Sequence, residues 1–151
     1  MNNNTSDYKL YYYGAYGSNL NVGQMRMRCP QARKVGTETL KDWRLVFRQV
    51  ADVVPSRGSE TDLGIWQITD ECEKALDHYE GYPHLYTKEF IQIDNKLVMI
   101  YRMSSAYPIA PPLQGYLDTI INGFEDFALD RAPLVDALKH SWVRDKVISE
   151  T

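Results

Sequence analysis

Five consecutive residues, Tyr16-Gly17-Ser18-Asn19-Leu20, place small-anion chemistry near the start of the chain. The aromatic run before them, Tyr11-Tyr12-Tyr13-Gly14-Ala15, reads as a strand, and Asn21 to Cys29 after them reads as a short helix. A strand that passes through Gly-Ser-Asn into a helix start gathers several backbone N–H groups at one point, where the helix dipole also favours negative charge. A carboxylate or phosphate fits such a loop. Gly17 admits a conformation or a close approach that a side chain would forbid. Ser18 and Asn19 add side-chain donors.

A second constellation is Asp77-His78-Tyr79-Glu80-Gly81-Tyr82-Pro83. Glu80 falls at the end of an expected helix, where a carboxylate opposes the dipole at a mild cost. Its neighbours Tyr79, Tyr82 and Tyr86 are aromatic, and burial against such rings raises a carboxyl pKa and makes a proton acceptor near neutrality. Composition alone favours the plainer reading, a surface Glu on a fraying helix end. Other candidates carry less. His78 and His84 are separated by a Gly-Pro turn and match no usual metal spacing, so no metal site is expected. Neither Cys29 nor Cys72 has a nearby His to form a nucleophile pair; two such residues read as buried, reduced thiols rather than a bridge. There is no Gly-x-Ser-x-Gly elbow and no Gly-rich loop ending in Lys-Ser/Thr. The eleven tyrosines read mainly as core and rim packing.

These groups need a scaffold, and 151 residues with 44% hydrophobic and 25% charged side chains suit one domain with a real core. Residues 1–9 are polar and expected to be flexible, leaving 10–151 as the single domain. Strands are expected at Leu10 to Ala15, Trp43 to Val50, Asp62 to Thr69, Tyr86 to Ile93 and Lys96 to Met103, with Asp94-Asn95 as a hairpin turn. Ala51 to Val54 either extends the second strand or bends away, and Ser56 to Thr61, around Gly58, reads as a turn. Asn21 and Thr69 read as helix N-caps, the second opening a helix that ends near Tyr79, before Gly81 and Pro83. Ser104 to Pro112 reads as a loop, a candidate flap. Leu113 to Leu129 and Leu134 to Val147 read as closing helices. Hairpins rather than βαβ alternation give an α+β class: a small mixed or antiparallel, barrel-like sheet with peripheral helices.

The net charge of −3 argues against a nucleic-acid partner, which calls for a basic surplus. Arg26 and Arg28 alternate on their helix and read as solvated. No apolar run has the length to cross a membrane, and no signal-peptide pattern opens the chain, so a cytoplasmic location is the default expectation. Nothing in the residues specifies an oligomeric state.

The two constellations together resemble the γ-glutamylcyclotransferase-like family. Tyr16-Gly17-Ser18-Asn19-Leu20 with Gln24-Met25-Arg26 and Arg28-Cys29-Pro30 is similar to its opening. Val53-Val54-Pro55 and Gly64-Ile65-Trp66-Gln67-Ile68-Thr69 resemble its middle strand and helix entry, and Leu76 to Pro83, with Tyr86, resembles its catalytic segment. Pro112 to Gly123, with Tyr116, resembles its late Tyr-bearing helix. The resemblance runs from about Tyr12 to Leu138. It implies a six- or seven-stranded barrel-like fold with a central cavity. It also implies a cofactor-independent, lactam-forming enzyme whose small-molecule γ-glutamyl substrate is converted to 5-oxoproline and a free amine. Glu80 matches the acid/base; Tyr16, Gly17, Ser18, Asn19, Leu20, Tyr86 and Tyr116 are the implied substrate-binding residues. The Tyr-Gly-Ser-Asn-Leu form looks less like the glutathione-specific and γ-glutamylamine branches, which favours γ-glutamyl amino acids or a γ-glutamyl group on a specialised metabolite. Pro112-Leu113 stands where the family often has Pro-Ser. Asp52 adds a second carboxylate near the cavity, read as facing water rather than a cationic leaving group. The competing reading is a non-catalytic module that binds a small anion or γ-glutamyl ligand on the same fold; a third, a mobile-element protein acting through contacts, is required by nothing in the residues.

Overall fold

The computed structural model describes residues 10–104 and 107–150, the last eight as backbone; the N-terminal residues expected to be flexible, 1–9, lie outside the described residues. The aromatic run forms β1 (Tyr11–Ala15), the middle of a five-stranded sheet. Its inner half, Tyr13 to Ala15, is buried throughout, as suits a central strand covered on both faces. One neighbour is the long β3 (Val50–Ile68), antiparallel; the other is β5 (Lys96–Met103), parallel. The outer strands are β2 (Arg33–Arg48) and β4 (Tyr86–Ile93), giving the order β2-β3-β1-β5-β4.

The β2–β3 hairpin turns at Gln49, whose φ is +67°, so that Arg48 pairs with Val50. Ala51 to Val54 therefore runs back along Arg44 to Phe47 and neither extends nor leaves that strand. β2 also begins ten residues before the expected Trp43, in a largely exposed stretch with little hydrophobic alternation to announce it. The expected turn at Ser56 to Thr61 does not end a strand. Trp43 pairs with Pro55 and Lys41 with Glu60, so residues 56–59 bulge out opposite Asp42 and β3 resumes. Gly58 (φ +85°) makes that detour, its N–H donating to Asp42 Oδ1 at 2.9 Å.

The expected barrel is not closed. The structure has five strands among the described residues rather than six or seven, and β2 and β4 remain edges. Irregularities at Lys34/Gly36 and Lys41/Trp43 interrupt the even run of N–H and C=O groups that a closing ladder needs, and they twist β2. Lys96 Nζ bridges to Glu38 Oε2 at 3.0 Å across this side instead.

Among the described residues four α-helices flank the sheet: α1 (Val22–Arg28), α2 (Asp70–Glu80), α3 (Gln114–Asp126) and α4 (Ala132–Glu150). Both expected caps form: Gln24 N–H donates to Asn21 Oδ1 at 3.0 Å, and Cys72 N–H to Thr69 Oγ1 at 3.2 Å. α2 stops at Glu80 because Gly81 takes a left-handed φ of +66°, letting Tyr82 N–H return to the Asp77 carbonyl at 2.9 Å. A backbone device thus sets Glu80 as the final helical residue.

α3 presses on the turn after β1. A Cβ added at Gly123 would stand 2.6 Å from Leu20 Cβ and 2.7 Å from the Asn21 nitrogen. Backbone cannot yield as a side-chain tip can, so Gly123→Ala is expected to destabilise the protein by about 1–3 kcal/mol through overpacking. A thermal melt measures this, and an unchanged midpoint would place α3 farther from the turn than this contact does.

Candidate functional site

Between β1 and the end of α2 lies a small, partly open cavity. Its floor is the turn after β1. Gly17 precedes a single 3-10 turn, Ser18–Leu20, and a Cβ at Gly17 would stand 3.0 Å from Ala51 Cβ, on the cavity wall. Close approach is thus the reason for glycine here. The N–H groups of Ser18 and Asn19 open the turn and find no acceptor within it, nor among the described residues. The start of α1 does not share this role. Val22 N–H donates to Asp126 Oδ2 at 2.9 Å and Gln24 N–H to its cap. The unbonded N–H groups expected at the helix start therefore lie in the 3-10 turn.

Glu80 reaches the cavity from the last position of α2. The residue as a whole is half-buried because the helix end meets solvent: His78, Tyr79 and residues 81–84 are exposed. Its carboxyl, however, lines the cavity, and burial pushes it up to about 7, with Arg28 pulling weakly the other way. No described residue donates a hydrogen bond to it. Burial raises the hydroxyls of Tyr13, Tyr16, Tyr86, Tyr101 and Tyr116 well above the usual tyrosine range, so they stay protonated. Of the groups lining the cavity, Glu80 alone titrates near neutrality.

The structure brings Tyr16, Gly17, Ser18, Asn19, Glu80, Tyr86 and Tyr116 to this one cavity. Tyr16 and Tyr86 use their hydroxyls on the scaffold, donating to the Tyr101 carbonyl at 2.5 Å and the Ala51 carbonyl at 2.7 Å. Tyr116 Oη accepts the Ala51 N–H at 3.0 Å. Leu20 is the exception: it has no exposed surface and does not line the cavity. It faces away from the turn into the core beneath α3, next to Gly64 and Gly123. Its side chain anchors the loop in the core.

Two further readings are overturned. Asp52 does not face water: it is 2% exposed, accepting Arg48 Nε at 3.0 Å and Met103 N–H at 2.8 Å. Arg28 is not solvated. Its guanidinium lies 3.4 Å from the centroid of the Tyr79 ring and donates to Asn19 Oδ1. Alternation along α1 hid this, because the partners of Arg28 come from the turn and from α2. Asn19 in turn donates through Nδ2 to Tyr13 Oη at 3.0 Å, and its carbonyl accepts Trp66 Nε1 at 2.9 Å. Tyr13, Ala51 and Tyr101 also line the cavity; no local motif marked them, since they meet only through the sheet. Cys29 and Cys72 are buried free thiols, and Cys29 is pushed up to about 12, chiefly by burial. Among the described residues no three His, Cys, Asp or Glu side chains cluster as metal ligands would, and no helix is long and apolar enough to cross a membrane.

Comparison with known proteins adds sequence and fold likeness. The family model described as gamma-glutamyl cyclotransferase, AIG2-like, matches residues 13–118. No curated protein sequence matches the chain. A solved structure named gamma-glutamyl cyclotransferase superposes with a TM-score of 0.73 at 23% identity, over 87% of this chain and 86% of that one. The uncharacterized protein loc79017 of Homo sapiens gives 0.73 at 24%, over 86% of each chain. YkqA of Bacillus subtilis gives 0.74 at 19%, over 91% of this chain and 56% of that one. At these identities the likeness is one of fold.

Proposed function

We propose that this chain, which belongs to the gamma-glutamyl cyclotransferase, AIG2-like family, releases 5-oxoproline from a γ-glutamyl compound with Glu80 as general acid/base. The observation that carries this reading is a carboxyl with no hydrogen-bond donor among the described residues, held near neutrality in a cavity that Ser18 and Asn19, whose backbone N–H groups have no acceptor among the described residues, also line. The turn holds the glutamyl α-carboxylate and carbonyl region, with Tyr16 and Tyr86 shaping the walls and Tyr116 orienting the chain of the substrate. Folding the substrate back brings its α-amine onto its γ-carbonyl, and positioning supplies much of the rate. Glu80 takes a proton from the α-ammonium and returns one to the departing amine, so a single carboxylate serves both steps without a cofactor.

The substrate class is a γ-glutamyl amino acid or a γ-glutamyl group on a specialised metabolite. The test is 5-oxoproline release from a panel of γ-glutamyl amino acids, glutathione and γ-glutamyl-ε-lysine, with Glu80→Gln as control. Release that depends on Glu80 is expected. A folded protein that binds these compounds without release would be a ligand-binding module instead.

A further inference from the structure

We propose that Tyr13 is a catalytic residue of this cyclisation: its hydroxyl donates a hydrogen bond to the γ-carbonyl oxygen as that oxygen becomes negative, and Arg28 and Asn19 are the positioning residues that aim it. The inference rests on the γ-glutamyl reading above and follows from counting protons in the cavity.

An arginine has donors and no acceptor. Arg28 meets the side chain of Asn19, so the amide oxygen of Asn19 must face it. The amide nitrogen then faces the other way and donates to Tyr13 Oη at 3.0 Å. Tyr13 thus receives a hydrogen bond on that side, and its own proton turns elsewhere. No described acceptor takes it. Tyr13 is 4% exposed and lines the cavity, which leaves the cavity as the place where that proton finds a partner. A buried donor left unmet is costly, and a substrate oxygen relieves it.

The other cavity tyrosines divide cleanly. Tyr16, Tyr86 and Tyr101 donate to the Tyr101 carbonyl, the Ala51 carbonyl and Asp77 Oδ1, the last at 2.6 Å. Tyr116 accepts from a backbone N–H, and its own single proton is likewise uncommitted among the described residues. What separates Tyr13 from Tyr116 is the charge behind it. The Arg28 guanidinium polarises the Asn19 amide, which draws electron density from Tyr13 Oη and strengthens its bond to a developing anion. Burial keeps Tyr13 well above the usual tyrosine range, so the hydroxyl stays intact as a donor. In the reaction the α-nitrogen lone pair forms the new N–C bond and the C=O π electrons move onto oxygen, where Tyr13 meets them without giving up its proton. Collapse re-forms C=O and expels the amine, which takes the proton that Glu80 removed from the α-ammonium. The ring nitrogen gives its second proton to Glu80 in turn, which passes it to the freed amine, so that the products are the lactam N–H and an ammonium and the carboxylate is restored.

The experiment pairs Tyr13→Phe with Asn19→Asp, assayed on the panel and by calorimetric binding of 5-oxoproline. Tyr13→Phe keeps the ring that packs edge-on against Tyr101 at 5.8 Å. Asn19→Asp keeps Tyr13 itself, but presents a carboxylate oxygen that captures its proton. Both are expected to lower kcat about 10²-fold or more with KM nearly unchanged. Wild-type turnover with Tyr13→Phe equally active overturns the donor role and leaves the γ-glutamyl reading standing. A slow Tyr13→Phe beside a fully active Asn19→Asp overturns the aiming by Asn19 and Arg28. If the wild type binds 5-oxoproline but turns over nothing, weaker binding by Tyr13→Phe supports the contact and equal binding overturns it. A wild type that neither releases nor binds 5-oxoproline removes both proposals.

Discussion

Glu80→Gln is expected to slow 5-oxoproline release by about 10²–10⁴-fold, the usual contribution of a positioned acid/base, and to make the protein more stable above neutral pH. Both effects come from the same burial. The carboxyl titrates at about 7 in the fold against 4.5 for its ordinary value. Between those values the folded protein holds a proton that the unfolded chain has released, so the neutral carboxyl's contribution to stability is fully present below pH 4.5 and is lost as pH rises through 7. Above that the fold carries the whole burden of a buried, unpaired carboxylate, up to about 3 kcal/mol. Glutamine has no such charge. The variant should therefore melt like the wild type near pH 4 and several degrees higher at pH 8. Thermal melts at the two pH values decide the matter: equal midpoints at pH 8 would mean a carboxyl that water reaches freely. The kcat/KM of the wild type should rise through about pH 7 as the base form accumulates, and a flat profile there would remove Glu80 from the proton transfers. The residue lowers stability where it is most useful, a trade often found at active sites.

Local chemistry made much of this legible in the sequence. Thr69 and Asn21 cap the helices they were expected to cap, Asp94-Asn95 turns its hairpin, and Gly81 ends α2 where a glycine after a helical stripe should. The turn at Gly17 to Asn19 stood out because Gly-Ser-Asn after a strand is unusual over a few residues, whereas Glu80 reads by composition as a surface carboxylate and is singled out by the family resemblance. What stayed hidden depends on pairing across distance. β2 from Arg33 to Asp42 is polar and carries no alternation, because the sheet uses it as an edge. Gly58 signalled a real change of direction, but a bulge and a turn share the same residues, and only the partner strand tells them apart. Arg28 looked solvated because a helix face was judged by its own spacing, while its partners are Asn19 and Tyr79. Tyr13 looked like core because its hydroxyl matters only once Asn19 is fixed by Arg28. Leu20 erred the other way: one motif contains both the cavity floor and its anchor.

Asp52→Ala is expected to be the most destabilising of these single changes, by about 3 kcal/mol, which for a chain of this length lowers the melting midpoint by about 10 °C. Asp52 sits on β3 beside Ala51. One oxygen accepts the Met103 N–H at the end of β5, and the other accepts Arg48 Nε from across the hairpin turn. Removing the carboxylate leaves a buried N–H unmet and a guanidinium unpaired. The Arg48 side chain is 21% exposed, so water reaches it, and this holds the loss to the lower end of the range for a broken buried pair. Removing Arg48 as well, in an Asp52→Ala, Arg48→Met double variant, should recover part of the loss, because no lone charge then remains. A double variant as unstable as Asp52→Ala would put the whole effect on the Met103 N–H. Activity should fall with stability here. Tyr86 pairs with Met103 in the ladder and donates its hydroxyl to the Ala51 carbonyl, while Ala51 N–H holds Tyr116. The carboxylate expected to face water thus holds the cavity wall at Ala51.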